Sequence, residues 1–162
     1  MNSLKILGVD PGVKKIGWAL GEGKKDFKLV KFECLRIDSS QKNLLVIFEF
    51  FENLIKKHKP TVLAIEKVIF SKNRKTAIEV AKVIGVLEFL GQKYKLEIIE
   101  VSPKELKKLI TGDGLASKEQ MKKLLEISFK KDFKNLASDV FDAISLCLSG
   151  FYLTKQKKLL KS

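Results

Sequence analysis

The sequence predicts an α/β domain built on a five-stranded mixed sheet flanked by helices. Three strand patterns follow one another near the start of the chain without a helical pattern between them, and two later strand patterns alternate with helical ones. Strands in direct succession pair antiparallel through short turns, whereas strands separated by a helix pair in parallel. The 162 residues suffice for one substantial core. We expect a single domain over residues 1–154 and a frayed, basic C-terminal tail over residues 155–162.

The strands are predicted from apolar runs and from alternation. The continuous apolar run from Thr61 to Ile65 is typical of a strand covered on both faces. The segment from Phe27 to Ile37 alternates apolar and polar residues, as a half-buried strand does. The remaining predicted strands are Lys5 to Val9, Ile16 to Leu20 and Leu96 to Val101. Asp-Pro-Gly after the first strand is a turn signal, so the chain is expected to start with three antiparallel strands.

Helices are predicted where apolar residues recur every three or four positions and where capping residues precede them. The segment from Gln41 to Lys57 carries such a stripe and ends before Pro60. Ser102, Ser117 and Ser138 are each expected to cap a helix, the second within a Ser-Lys-Glu-Gln capping pattern. The predicted spans of these three helices are Pro103 to Ile110, Ser117 to Phe129 and Asp139 to about Leu153.

The helix predicted from Lys75 to Tyr94 is apolar on two sides. Ile84 and Leu87 suit a stripe that faces the core, whereas Ile78 and Phe89 extend the apolar surface beyond it. A helix with two apolar sides must bury both, and in a chain of this size a second copy can cover the outer one. We therefore expect a homodimer.

The charge balance favours a polyanionic partner. Lys and Arg number 32 against 19 Asp and Glu, which gives a formal charge of +13. Such an excess attracts nucleic acid through counterion release, although a lysine-rich surface can also serve solubility alone. Only Arg36 and Arg74 are arginines. Because lysines act as mobile point charges, the composition indicates contact with the nucleic-acid backbone more than base reading.

The cysteines and the hydropathy pattern indicate a cytoplasmic protein. Cys34 and Cys147 lie far apart, without the spacing of a metal site, and each sits in an apolar run. We expect both to be buried free thiols, as suits a reducing compartment. No apolar run approaches the ~18 residues that a membrane span needs, so no membrane partner is expected.

Four acidic residues are predicted to converge at one edge of the sheet. Asp10 directly follows the first strand and Glu66 directly follows the fourth, which the crossover helix should place beside the first in parallel. Asp139 and Asp142 are spaced i, i+3 at a helix start, so they share one face. Each acid has an ordinary explanation as a turn residue, a solvated strand end or a complement to a helix dipole. Their convergence is what favours a common site.

Such a cluster suits metal-dependent cleavage of phosphodiesters. Hard Mg²⁺ ions prefer carboxylates, water and phosphate oxygens as ligands. Two ions ~3.5 to 4 Å apart can activate an attacking water and stabilise the leaving oxygen. An acidic notch inside a basic chain therefore predicts a nuclease, with Asp10, Glu66, Asp139 and Asp142 as metal ligands.

The residues around these acids resemble the RuvC family of Holliday junction resolvases. The resemblance runs in order from about Leu4 to Leu148, nearly the whole chain. It is carried by three acidic motifs and their surroundings: Ile6 to Gly12 with Ile16 to Ala19, Ala64 to Val68 with Ser71 to Asn73, and Ser138 to Ala143.

The resemblance implies a ribonuclease H-like fold and a homodimer that places paired symmetric nicks in a four-way DNA junction, leaving 5′-phosphate and 3′-hydroxyl ends. It also implies Mg²⁺ dependence, with Mn²⁺ as a substitute and two ions per active site, and a branch-migration motor complex as cellular partner. The four acids carry over by motif position as catalytic metal ligands.

The resemblance also implies residues that contact DNA. Lys107 and Lys118 match family lysines that serve DNA contact and transition-state charge, although their ordinary reading is as solvated helix lysines. Similar proteins place an aromatic wedge three positions after the motif glutamate, where this chain has Ile69 followed by Phe70. Three interpretations remain open: Phe70 stacks on the bases, Ile69 acts as an aliphatic wedge, or Phe70 belongs to the core. Lys72 and Arg74 are further expected DNA contacts.

Two other functions compete with junction resolution. One is a ribonuclease H-like nuclease that processes structured RNA such as rRNA, since its opening motif is similar; the stretch from Ala64 to Asn73 argues against it. The other is a non-catalytic nucleic-acid-binding module. A missing acid would mark such a module, and here all four are present.

Overall fold

The computed structural model describes residues 3–38, 43–67 and 74–160. Their elements follow the predicted order of three strands, then alternating helices and strands, then helices alone. The strands are β1 (Leu4–Asp10), β2 (Lys15–Gly23), β3 (Phe27–Arg36), β4 (Val62–Glu66) and β5 (Glu97–Val101). The helices are α1 (Asn43–His58), α2 (Arg74–Lys93), α3 (Pro103–Thr111), α4 (Lys118–Phe129) and α5 (Ser138–Leu159).

The described strands form one mixed sheet in the order β3-β2-β1-β4-β5. β1, β2 and β3 pair antiparallel in succession, and β4 lies parallel to both β1 and β5. The prediction that the crossover helix places β4 beside β1 is therefore confirmed. The carboxyl ends of β1 and β4 consequently lie at the same edge of the sheet.

Helices cover both faces of the sheet. Strand residues such as Leu7 and Leu63 pack on one face against Phe51 of α1 and Leu87 of α2. On the other face, residues such as Ile6 pack against α5. α5 also contacts α3, which in turn contacts α4. Two buried layers explain why the central strands are apolar on both sides.

The predicted caps of α3 and α4 are confirmed, and that of α5 is wrong. Ser102 and Ser117 each form a capping box, with Glu105 and Gln120 three positions later. α5 instead has Ala137 at its N-cap and no side-chain cap. Ser138 lies inside the helix, and its hydroxyl accepts a hydrogen bond from the Lys118 ammonium. α5 is also longer than predicted, since it continues beyond Leu153 to Leu159.

Other sequence expectations are settled by burial. Both cysteines are free, but only Cys147 is buried; Cys34 is half-buried, because it lies on the outer strand β3. Ile78 and Phe89 of α2 are 53% and 58% exposed, so the outer apolar side predicted for this helix is uncovered in one copy of the chain. No helix in the described ranges is long and apolar enough to cross a membrane.

Candidate active site

Two of the predicted acids lie side by side at the carboxyl edge of the sheet. Asp10 ends β1 and Glu66 ends β4. The parallel register pairs Val9 with Ile65, so the two acids occupy corresponding positions on neighbouring strands. Both side chains are half-buried. The strand ends therefore place two carboxylates together without any contribution from a loop.

A glycine brings the other two acids to this edge. Gly17 of β2 is the register partner of Asp10. A Cβ at Gly17 would overlap the backbone carbonyl of Asp139 and lie 2.8 Å from the amide nitrogen of Val140. The start of α5 thus rests directly on the glycine backbone, which puts Asp139 and Asp142 next to the strand that carries Asp10. A glycine within an apolar strand often marks such a close backbone approach, so the sequence held a signal for this role.

A lysine from α4 joins the site. The Nζ of Lys118 lies 2.7 Å from Oδ2 of Asp142 and 2.6 Å from Oγ of Ser138. The Ser138 hydroxyl is in turn 3.5 Å from the same Asp142 oxygen. The Lys118 ammonium also lies 5.7 Å from the centre of the Phe141 ring. The N-terminal turns of α4 and α5 are therefore linked through one lysine. Ser138 was expected as a helix cap at the start of the third acidic motif, and its contact with Lys118 was not predicted.

The electrostatics show that the four carboxylates share one region. Burial raises the pKa of Asp10 to about 8, reinforced by the charges of Asp142, Glu66 and Asp139 and opposed by Lys118. Burial also raises the pKa of Glu66, followed by the charge of Asp142, again with Lys118 opposing. Like charges raise each other's pKa only at short range, because solvent and salt screen them beyond about 10 Å. The cluster is thus an accumulation of negative charge that one ammonium only partly offsets.

The donor set fits a hard divalent cation. Carboxylate oxygens are the ligands that Mg²⁺ prefers, and a cation would relieve the repulsion that raises the pKa of Asp10. The side chains as placed, with Asp142 held by Lys118, do not converge closely enough to ligate one ion: residues 3–38, 43–67 and 74–160 contain no group of three or more acidic, histidine or cysteine side chains arranged for it. The chemistry of a metal site is present, and its ligand geometry requires movement of these side chains.

No described contact links Lys107 to this cluster, and the other four predicted site residues fall wholly or partly outside the described part of the chain. Lys107 lies half-buried on α3, where its backbone carbonyl accepts a hydrogen bond from the Thr111 hydroxyl, and no described ion pair joins it to the acids. Arg74 begins α2, but its side chain is outside the described part of the chain. Three further predicted DNA contacts lie wholly outside the described residues: Ile69, Phe70 and Lys72. The roles of all five stay predictions.

The mixed sheet with its two helical layers and acidic edge defines a ribonuclease H-like fold, as expected. The particular family follows from the sequence, because the family model described as "Crossover junction endodeoxyribonuclease RuvC" matches residues 6–149. The chain therefore belongs to the RuvC family, which is a family of metal-dependent nucleases.

Individual relatives agree with this assignment. The chain is 36% identical to RuvC of Brachyspira hyodysenteriae over 147 residues, which are 88% of this chain and 91% of that protein. It is 35% identical to RuvC of Halothermothrix orenii over 159 residues, which are 94% and 96% of the two chains. The structure of T. thermophilus RuvC in complex with Holliday junction substrate has a TM-score of 0.89 at 17% identity, covering 95% of this chain and 96% of that one. The latter similarity establishes the fold.

Proposed function

We propose that this protein is a structure-selective endonuclease that resolves four-way (Holliday) DNA junctions during recombination and repair. It makes paired symmetric cuts that leave 5′-phosphate and 3′-hydroxyl ends. The observation that carries the proposal is the gathering of Asp10, Glu66, Asp139 and Asp142 around one sheet edge in a family member of formal charge +13. The overall charge attracts DNA, and the acidic edge is the place of hydrolysis.

The cofactor that we propose is Mg²⁺, replaceable by Mn²⁺, with two ions per site held by the four carboxylates. When bound, the ions supply an activated water and charge stabilisation for the leaving oxygen. The ammonium of Lys118 is already 2.7 Å from Asp142 and exposed on its other side. It can exchange its carboxylate partner for a non-bridging phosphate oxygen, because both are anionic oxygen acceptors. Lys107 is proposed to contact DNA and to support the transition-state charge.

The outer side of α2 supports a homodimer. Ile78, Lys82, Gly85 and Phe89 recur at helical spacing and are all exposed. A Cβ on Gly85 would meet no atom within 4 Å. A mid-helix glycine costs about 1 kcal/mol relative to alanine, and the empty space above it suits close approach of a second copy. Two copies related by a two-fold axis would supply the two active sites that paired cuts need.

Four proposals extend beyond the described residues or beyond one chain. Phe70 is proposed to stack on bases at the crossover, with Ile69 as the alternative wedge and Lys72 and Arg74 as backbone contacts. If Phe70→Ala changed neither junction cleavage nor the exposure of bases at the crossover, measured with a fluorescent base analogue, the wedge role of Phe70 would be refuted. We further propose a branch-migration motor complex as partner, a cytoplasmic location, and a single nuclease domain whose last helix extends through residues 155–159, which the sequence had suggested as part of a tail.

The function is tested by comparing substrates under one set of conditions. A mobile four-way junction, a linear duplex of the same sequence and a structured RNA are incubated with the protein, with and without Mg²⁺, beside Asp10→Asn. We expect Mg²⁺-dependent, symmetric cleavage of the junction alone. Preferential cutting of RNA would favour the RNA-processing alternative. Tight junction binding without any cleavage would favour the non-catalytic module.

A further inference from the structure

β5 is the outer strand of the sheet on the side opposite β3. The amide of Glu97 donates to the carbonyl of Thr61, and the carbonyl of Val101 accepts from the amide of Lys67, so both residues direct their backbone groups toward β4. Backbone direction alternates along a strand that pairs on one side. The amides and carbonyls of Ile98 and Glu100 therefore point away from β4, and no other described strand pairs with them.

A groove of about 750 Å³ runs along this outer edge. Its walls come from both sides of the sheet, since α2 contributes Glu88 and α5 contributes Leu153, with Leu160 just beyond its end. Because α2 and α5 cover opposite faces, a groove that touches both must straddle the edge of β5. Ile98 and Glu100 of β5 also line it, so the unpaired backbone groups open into the groove.

The groove is acidic in a strongly basic chain. Among the residues that the structure describes, its lining includes three carboxylates, those of Glu88, Glu100 and Glu105, and one ammonium, that of Lys157. That ammonium is already paired with Glu97 at 3.0 Å. These carboxylates favour a cationic partner over nucleic acid.

Apolar groups lie between the charges. Leu160 is 81% exposed at the groove, whereas Ile99 is 5% exposed and belongs to the core. A free strand edge, apolar contacts and flanking carboxylates together match the way in which sheets bind extended peptides: backbone hydrogen bonds supply affinity, and alternate side chains supply specificity. The chain as a whole is strongly basic and would repel a cationic peptide over most of its surface. The acidic groove has the opposite charge and can attract one.

We propose that the outer edge of β5 binds an extended peptide of a partner protein, rich in lysine or arginine alternating with apolar residues, by strand addition. The groove extends from a point near the acidic site to the far end of α5: its residue Glu100 directly precedes Val101, the register partner of Glu66. α5 begins at Ser138 in the site and reaches the groove at Leu153, a separation of about 22 Å at the helical rise. The inference does not depend on the proposed function, because it is argued from the free edge of β5 and the charges of its groove and not from the acidic site.

The first test measures the binding of a fluorescein-labelled peptide of alternating lysine and valine by anisotropy. The comparators are the same peptide with glutamate for lysine and a version N-methylated on alternate amides, which cannot complete a strand ladder. We expect the lysine peptide to bind at least about tenfold more tightly than either comparator. Equal binding of all three, or no measurable binding of the lysine peptide, would overturn the proposal.

Substitutions locate the binding. The double substitution Glu88→Lys and Glu100→Lys should weaken binding of the lysine peptide by about tenfold or more, because it reverses two of the groove charges. The control pair Glu33→Lys and Glu49→Lys changes net charge equally at positions on β3 and α1 outside the groove and should leave affinity within about twofold. Equal losses in both pairs would mean general charge attraction and would refute the site.

A third comparison separates charge from backbone pairing. Glu100→Gln removes the charge and keeps the outward amide, whereas Glu100→Pro removes both; proline is tolerated on an edge strand where the amide faces solvent. We expect Glu100→Pro to bind more weakly than Glu100→Gln. Single-turnover cleavage of saturating junction by Glu88→Lys alone should remain within about twofold of the parent, because Glu88 lies in the last turns of α2 and not beside Glu66. Clearly stronger junction binding by the groove pair than by the control pair would indicate DNA in the groove and contradict a peptide.

Discussion

The acidic site should make the metal-free protein less stable, and Asp10→Asn should relieve that cost. Asp10 has a pKa of about 8 in the folded chain, against 3.8 as its ordinary value. Between these values the folded state binds one more proton than the unfolded state, so the free energy of unfolding falls as pH rises, by about 1.4 kcal/mol per pH unit. Above about pH 8 both states are ionised and the loss is complete.

The magnitude follows from the same shift. Its full value would be about 5 to 6 kcal/mol; solvent screening at this half-buried side chain lowers the expected effect to about 2 to 5 kcal/mol near pH 9. The neutral amide introduced by Asp10→Asn would resemble the protonated carboxyl and carry no such cost. Asp10→Asn should therefore match the parent near pH 4 and become progressively more stable than it up to pH 8.

The assay is denaturant unfolding across this pH range in a chelating buffer, followed by the fluorescence of Trp18, the sole tryptophan, which is 1% exposed. Asp26→Asn, at an exposed turn between β2 and β3, is the matched control and should show no such trend. Adding Mg²⁺ should then stabilise the parent more than Asp10→Asn, because a ligand that binds the folded state stabilises it. The reasoning is refuted if Asp10→Asn is no more stable than the parent near pH 9, or if their difference does not change with pH.

Three further predictions concern the parts that assemble the site. Gly17→Ala should destabilise the fold by about 1 to 3 kcal/mol and impair cleavage, because the new methyl group displaces the start of α5; unchanged denaturation and cleavage would contradict this contact. Lys118→Ala should lower the rate of single-turnover cleavage by about 10²-fold with a much smaller loss of junction affinity. Lys122→Ala, one turn along α4, is the control and should change neither quantity by more than about threefold. Equal effects of the two substitutions would deny Lys118 a specific role. Phe89→Lys should yield a monomer in sedimentation, because Phe89 lies on the proposed interface. Ile127→Lys, at an exposed apolar position on α4, is the control and should remain dimeric. A dimeric Phe89→Lys variant would place the interface elsewhere.

The sheet and the acids were predictable because their signals are local. Asp10 and Glu66 each end an apolar run, and the helix between their strands dictates a parallel pair. The i, i+3 spacing of Asp139 and Asp142 fixes their common face. Connectivity and residue spacing were therefore enough to place Asp10 beside Glu66 and Asp142 on the same face as Asp139, whereas the meeting of the two pairs depends on the contact of α5 with Gly17.

Features set by tertiary contacts escaped the sequence. Ser138 has the chemistry of a cap, yet its hydroxyl binds Lys118, twenty residues earlier. The polar residues after Leu153 suggested a frayed tail, but Thr154 is 1% exposed and Lys157 pairs with Glu97 of β5, so packing extends the helix. The half-exposed state of Cys34 likewise depends on its position on the outer strand. Propensity and periodicity carry no information about such distant partners.

The central claim, that carboxylates from distant parts of the chain act as one metal-dependent hydrolytic site, is tested most directly with Glu66→Gln. Binding and single-turnover cleavage of a mobile four-way junction are measured on the same samples in Mg²⁺. We predict that junction affinity stays within about threefold of the parent, since binding depends mainly on lysines, while cleavage is abolished. Cleavage by Glu66→Gln at the parental rate in Mg²⁺ would contradict the account.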